Sequence, residues 1–352
     1  MTHADHLRAR LAELEADLAG AADALADVLL VLPRLRPDGA LERAKGRVGR
    51  AHTALVRYVR APKGKRGTIP AKLQSTFARA LRTARLWPHI ADRVEEQIAA
   101  EPVDLGYRAP QMDPQIAPLG FVYDKFVAHM HRMANPHVND QSDDAQARQM
   151  YDDIPLSMAE FMAGICAAYR VCLAQRKTGP LRFLDVGCGG GTKLLAAEVC
   201  FERCDGIEYD PRTAQTGAAM MAALGRDGCR VMQADAYEFT DYAAYDVIYY
   251  YRPMMLDDAM LRLETLIFEA AAPGTVIFAP FDLVTPDLSA VGAAELAHSL
   301  YIAGTPAAEA ERLRRDAETM GTAVPGYRRW TATNPGYWRG LMDACAANGH
   351  PL

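Results

Sequence analysis

Residues 181–191, Leu-Arg-Phe-Leu-Asp-Val-Gly-Cys-Gly-Gly-Gly, bring together the residue types best placed to do chemistry. An apolar run from Leu181 to Val186 carries one acid, Asp185. It then breaks into Gly187, Gly189 and Gly191 ahead of a helix-like stretch, Thr192 to Cys200. Strand, glycine turn and helix open a nucleotide-cradling unit, because glycine admits sharp turns and lets a ligand lie against the main chain. The spacing here is G-x-G-x-G, whereas the dinucleotide pattern G-x-G-x-x-G would place its third glycine at Thr192. An acid at the strand end would repel phosphate, and the same carboxylate favours a cationic ligand without phosphates.

Phe183-Leu184-Asp185-Val186-Gly187-Cys188-Gly189-Gly190-Gly191 resembles the first motif of the class I S-adenosylmethionine-dependent methyltransferases, whose cofactor carries a sulfonium and an ammonium. Later stretches follow in that family's order. Gly206-Ile207-Glu208-Tyr209-Asp210 reads as a second strand ending in an acid, at the tip where a carboxylate can accept ribose hydroxyls. Arg230–Ala236 reads as a third strand with Asp235 at its end, Tyr245–Pro253 as a fourth and Thr275–Phe281 as a fifth. One glycine motif is weak evidence; the ordered set is strong. The resemblance implies a Rossmann-like, doubly wound, mostly parallel α/β sheet with S-adenosyl-L-methionine as cofactor. It implies cofactor binding through Asp185, Gly187, Gly189, Gly191, Glu208, Tyr209, Asp235 and Ala236, with Asp235 near the adenine amino group. It covers residues 181–281. The family usually closes its sheet with an antiparallel hairpin. Here 287–303 and 306–320 read as helical, and only Val324–Thr333 reads as a further strand.

The acceptor in such enzymes meets the methyl group at the end of strand four. Families that methylate amino groups of bases or glutamine carry an Asn or Asp there, followed by Pro-Pro and an aromatic. This chain has Tyr249-Tyr250-Tyr251-Arg252-Pro253. Tyr249 and Tyr251 fall on one side of the strand and Tyr250 on the other. Tyr251 and Arg252 are the expected catalytic residues: the tyrosine to orient the acceptor, the arginine to pair with a carboxylate or phosphate on it. Tyr151, ahead of the first strand, is a candidate lid residue. The expected acceptor is a protein or a small molecule. Two alternatives stay open: an RNA methyltransferase using a basic N-terminal region, and a non-catalytic cofactor-binding scaffold. His129, His131 and His137 do not share one helix face, so no metal site is expected.

The elements around this centre follow from periodicity. Residues 1–100 read as an all-helical N-terminal domain. Leu7, Leu11, Leu14, Leu18, Ala21, Leu25, Val28 and Leu32 form an a/d seam, and Leu41, Ala44, Val48, Ala51 and Leu55 continue the spacing after Pro33, Pro37 and Gly39. That predicts a helical hairpin, with a homodimer through the same helices as the rival. A third pattern, from Pro70 to Ala100, should break at Pro88. Residues 34–93 hold 16 Lys/Arg against Asp38, Glu42 and Asp92, in a chain of net charge −5; this asymmetry is the one hint of RNA. Residues 101–120 read as a Pro-rich linker, 121–180 as helices leading into the catalytic domain, and 181–352 as the Rossmann-like domain with helical C-terminal additions. Ser157 with Glu160 fits a capping box. An odd count of seven cysteines without a C-x-x-C pair, and no apolar run of membrane length, predict a soluble, cytoplasmic chain with no membrane partner.

Overall fold

The computed structural model describes residues 2–31, 39–62, 67–106, 117–135, 141–151, 156–177, 179–284, 287–322 and 335–351. The chain divides into two compact units. One holds the described residues up to Pro102 and those after Glu318; the other runs from Val103 to Glu318. No helix among the described residues is long and apolar enough to cross a membrane.

The first unit is helical. Helices α1 (His3–Val31) and α2 (Gly39–Arg60) carry the two seams, and α3 (Ala71–Ala84) and α4 (Trp87–Ala99) follow. Leu7, Leu11, Leu14, Leu18 and Leu25 are buried in one cluster with Leu41, Val48 and Leu55 of α2, Phe77 of α3 and Ile90 of α4. The seam is therefore filled from within the chain, and each leucine so buried contributes about 1.5–3 kcal/mol. The predicted break at Pro88 is real. The chain turns at Arg85–Leu86, and Pro88 sits in the first turn of α4, where a missing N–H removes no intrahelical bond.

The same unit takes back the C-terminus. A 3-10 turn (Gly336–Trp338) leads into the last helix, α12 (Arg339–Ala347). Trp338 is fully buried, stacks on Trp87 at 5.6 Å between ring centroids, and donates its indole N–H to the Thr83 carbonyl at 2.7 Å. The Asn348 amide donates to the Leu29 carbonyl and to Gln97 Oε1, both at 3.1 Å. This corrects the expectation that everything after residue 181 belongs to the Rossmann-like domain. Thr83, which takes the indole N–H of Trp338, lies 255 positions upstream, beyond the reach of any local pattern.

In the second unit, α5 (Ala117–Ala134), α6 (Asp143–Ala147) and α7 (Met158–Ala174) precede an alternating series. The series runs β1 (Arg182–Val186), α8 (Thr192–Ala197), β2 (Arg203–Glu208), α9 (Pro211–Ala223), β3 (Cys229–Gln233), β4 (Val247–Tyr250), α10 (Asp257–Ala270) and β5 (Val276–Phe278). Ser157 caps α7, its hydroxyl accepting the Glu160 N–H at 3.5 Å. The linker expectation holds less of the chain than 101–120. Val103 N–H donates to the Glu318 carbonyl at 2.8 Å, Arg170 donates to the Val103 carbonyl at 2.7 Å, and Leu105 is buried in this unit's core. Residues 107–116 lie outside the described residues.

Strands β1 to β5 are parallel, in the order β3-β2-β1-β4-β5. Phe183 to Val186 and all of β4 and β5 are buried, as a sheet covered on both faces requires. The sheet then closes with an antiparallel hairpin, β6 (Ala293–Ala297) and β7 (Leu300–Ala303), with β7 antiparallel to β5. A helix over 287–303 was the sequence expectation, and the hairpin overturns it. The stretch is rich in alanine and leucine, good helix formers. Pairing Val276 with Ile302 and Phe278 with Leu300 along an otherwise open edge outweighs that local preference. Helix α11 (Ala307–Glu318) is where 306–320 predicts it, and Val324–Thr333 lies outside the described residues.

Trp338→Ala should cost the helical unit about 3–5 kcal/mol, because it removes a buried indole, a ring stack and a satisfied N–H together. Urea denaturation followed by tryptophan fluorescence and circular dichroism measures it. A loss under about 1 kcal/mol would show that the C-terminus does not anchor this unit.

Candidate functional site

The turn after β1 is built by hydrogen bonds to its neighbour strand. Gly187 and Cys188 both donate their N–H groups to the Ile207 carbonyl, at 2.9 and 3.0 Å, and Gly191 donates to the Cys188 carbonyl at 2.9 Å. Gly187 and Gly191 take left-handed backbone, φ 79° and 78°. A Cβ at Gly187 would sit 2.8 Å from Pro253, and one at Gly191 2.7 Å from Val231. Both positions therefore require glycine on conformation and on space.

Glu208 closes the turn from the β2 side. Its Oε2 accepts the Gly189 N–H at 2.9 Å and its Oε1 accepts the Asp210 N–H at 2.8 Å. Each carboxylate oxygen has a second lone pair. Asp210 in turn caps α9, accepting from Arg212 and Thr213 N–H at 3.1 and 3.0 Å, and takes the Ser142 N–H at 2.7 Å on its other oxygen. Burial alone would raise the Asp210 pKa. The hydrogen bonds from Thr213 and Ser142 outweigh it and hold the carboxyl below the usual range.

These groups line one cleft of about 1100 Å³, its open mouth included. Asp185, Gly187, Gly189, Glu208, Tyr209 and Ala236 line it, as do Tyr251 and Arg252 at the β4 exit. Two expected residues are not on its wall. Gly191 packs behind the turn against Val231. Asp235 holds its carboxylate between the Tyr237 N–H at 2.9 Å and the Arg148 guanidinium at 2.9 Å, while its neighbours Ala234 and Ala236 face the cleft.

Several contributors carry no sequence signal of their own. Arg148, just after α6, bridges Asp235 and lies 4.6 Å from the Tyr209 ring, and Tyr209 donates its hydroxyl to Asp144. Helix α6 thus ties down one rim of the cleft. Lys193, buried on the cleft wall, donates to the Leu156 carbonyl and lies 4.9 Å from the Phe161 ring. Val127 and His131 of α5 also line the cleft, with His131 Nδ1 2.7 Å from Thr192 Oγ1. His137 lies outside the described residues, and no metal-binding cluster occurs among the described residues.

At the β4 exit a short clamp joins two segments. Met150 and Met254 form an antiparallel bridge, Tyr151 N–H donates to the Pro253 carbonyl at 3.3 Å, and Met255 N–H donates to the Gln149 carbonyl at 2.9 Å. Tyr151 lines the cleft beside Arg252. Tyr249 packs with Phe161, Phe183 and Phe278 on one sheet face and Tyr250 enters the core of the other, as strand alternation predicts. Tyr251 meets Phe281 at 5.4 Å. Burial, and then the Glu160 carboxylate, raise its pKa, so it stays a neutral hydroxyl at ordinary pH.

The sheet order β3-β2-β1-β4-β5-β7-β6, with β7 alone reversed among these strands at the closing edge, settles the architecture. The fold is a Rossmann-like, doubly wound α/β fold. No family model and no curated protein matches the chain. Among solved structures, it is similar to an RNA methyltransferase from Salinibacter ruber in complex with S-adenosyl-L-homocysteine: 22% identity, 36% of this chain, 76% of that chain and a TM-score of 0.28. It is similar to a SAM-dependent methyltransferase from Thiobacillus denitrificans in complex with S-adenosyl-L-homocysteine: 21% identity, 34% of this chain, 47% of that chain and a TM-score of 0.26. A sugar N-methyltransferase from Streptoalloteichus matches at 20% identity over 34% of this chain and 48% of its own, with a TM-score of 0.26. The chain thus spans about half the length of the last two.

The loop carrying Phe281 is pinned from the opposite sheet face. Leu283 N–H donates to Glu264 Oε2 at 2.8 Å, and Tyr301 donates its hydroxyl to Asp282 at 2.6 Å. Burial pushes the Glu264 pKa up to about 7, with the Leu283 bond opposing and Asp282 adding to the rise. In the unfolded chain that carboxyl titrates near 4.3. Its protonated form therefore contributes stability in full below pH ~4.3, and this is lost as pH rises through about 7, a swing of about 4 kcal/mol. Glu264→Gln should remove that swing, so the variant gains on the wild type between pH 5 and pH 8. Melting temperatures across that range check it; parallel curves would contradict it.

Proposed function

We propose that the chain is an S-adenosylmethionine-dependent methyltransferase acting on a protein or small-molecule acceptor. The observation that carries the reading is the placing of Asp185, the glycine turn and Glu208 in one cleft that opens onto Tyr251 and Arg252. The donor set fits the group. Two carboxylates, Asp185 and Glu208, line the cleft beside a turn whose Gly187 has no room for a Cβ against Pro253, and the two acids suit a cationic ligand with a ribose diol.

Glu208 accepts a backbone N–H on each of its two oxygens, which fixes the carboxylate at the tip of β2, where it would meet the two ribose hydroxyls. Ala234 and Ala236 give an apolar wall for a flat base. Asp185, 2% exposed at the end of β1, sets a negative potential where a positive ligand would lie. When bound, the cofactor supplies an electrophilic methyl group on sulfur. The chain's task is then to hold the acceptor in line at the β4 exit and exclude water. Tyr251 offers a neutral hydroxyl and Arg252 a permanent cation at that end.

Glu208→Gln should weaken S-adenosylhomocysteine binding about tenfold and Glu208→Ala about a hundredfold, since hydrogen bonds to charged groups contribute ~1.5–3 kcal/mol each. Isothermal titration calorimetry reads both. Wild-type affinity in Glu208→Ala would remove the ribose role, and no binding by the wild type would remove the methyltransferase reading.

A further inference from the structure

Arg252 is held in an unusual way. Its φ is 43°, left-handed backbone that a branched-free side chain enters only at a cost, and the clamp between 149–151 and 253–255 keeps it there. Its guanidinium lies 5.3 Å from the Tyr151 ring centroid and 6.0 Å from that of Phe281, whose ring meets Tyr251. No carboxylate among the described residues pairs with it. Arg148 and Arg182 of the same unit pair with Asp235 and Asp205, at 2.9 and 3.4 Å. Arg252 is half-buried on the cleft wall. A guanidinium cannot shed its charge, so one that is partly desolvated among rings gains most from an anion brought from outside.

Resting on the methyltransferase reading, we propose that Arg252 is the specificity-determining anchor for an acceptor that carries an oxyanion, carboxylate or phosphate, on a flat apolar body. The planar fork takes the two oxygens side by side. The body lies against Tyr251 and Phe281, whose edge-to-face rings form an apolar wall next to the fork. The loop bonds of Leu283 to Glu264 and of Tyr301 to Asp282 fix the position of Phe281, so the wall is preorganised. The distance between anion and apolar body then decides which atom of the acceptor comes in line with the methyl group.

The test titrates the full chain with 4-hydroxybenzoate, phenyl phosphate and phenol, with and without saturating S-adenosylhomocysteine, in the wild type, Arg252→Gly and Arg252→Lys. Glycine is at ease at φ 43°, so Arg252→Gly should melt no lower than the wild type while losing the guanidinium. We expect at least one of the two anions to bind tenfold or more tighter than phenol. That preference should shrink to within twofold in Arg252→Gly and fall to an intermediate value in Arg252→Lys. Preference for the carboxylate alone, or the phosphate alone, supports the anchor and names its source. Equal binding of all three probes to the wild type overturns the proposal, as does a preference that survives in Arg252→Gly. Should Arg252→Gly melt lower, Arg252→Lys decides alone, and an unchanged preference with the shorter, non-planar cation contradicts the fork. If S-adenosylhomocysteine fails to bind while the anion preference persists and depends on Arg252, the methyltransferase reading falls and the anion site stands. If it binds and no preference appears, the reverse holds.

Discussion

The second unit depends on how one carboxylate, Glu208, is satisfied. Its two oxygens take N–H groups from the glycine turn and from the start of the next connection, which locks the ends of β1 and β2 together. Without such an acceptor the turn would leave a backbone donor pointing into a cleft, a cost of order 1–3 kcal/mol. The turn's shape in turn rests on left-handed backbone and on the close approach of Pro253 from the β4 exit. Three strand ends meet at this point, which is where an open parallel sheet with reversing strand order forms its crevice.

The cleft presents different side chains at its two ends. Asp185 and Glu208 line it at the ends of β1 and β2, with the buried Lys193 also on its wall, while Arg252 lies among Tyr151, Tyr251 and Phe281 at the β4 exit. Each end is held by residues distant in sequence: α6 ties Tyr209 and Asp235 through Asp144 and Arg148, and Glu264 and Tyr301 reach through the sheet's other side to hold the Phe281 loop.

Much of this was legible in residue order alone. The glycine turn, the five parallel strands with an acid at the end of the first three, the seams of α1 and α2 and the break at Pro88 are all local patterns, and local patterns carry their own geometry. Three features were not legible. The β6–β7 hairpin has helix-forming composition and becomes sheet only because β5 offers it an edge. Trp338 and Asn348 look like a tail of the catalytic domain until their partners Trp87, Thr83, Leu29 and Gln97 come into view. Asp235 has the right spacing for the cleft, but Arg148 turns its carboxylate aside, and no pattern around residue 148 announces that pairing. Strand alternation placed Tyr249 and Tyr250 on opposite faces, yet said nothing of the clamp that sets Arg252 in left-handed backbone.

The most direct measurement is a crystal structure of the full chain grown with S-adenosylhomocysteine. The account predicts the ribose diol on the Glu208 carboxylate, the adenine beside Ala234 and Ala236, and the sulfur directed toward Tyr251 and Arg252. A ligand seated elsewhere, or one whose ribose hydroxyls turn away from Glu208, would contradict it.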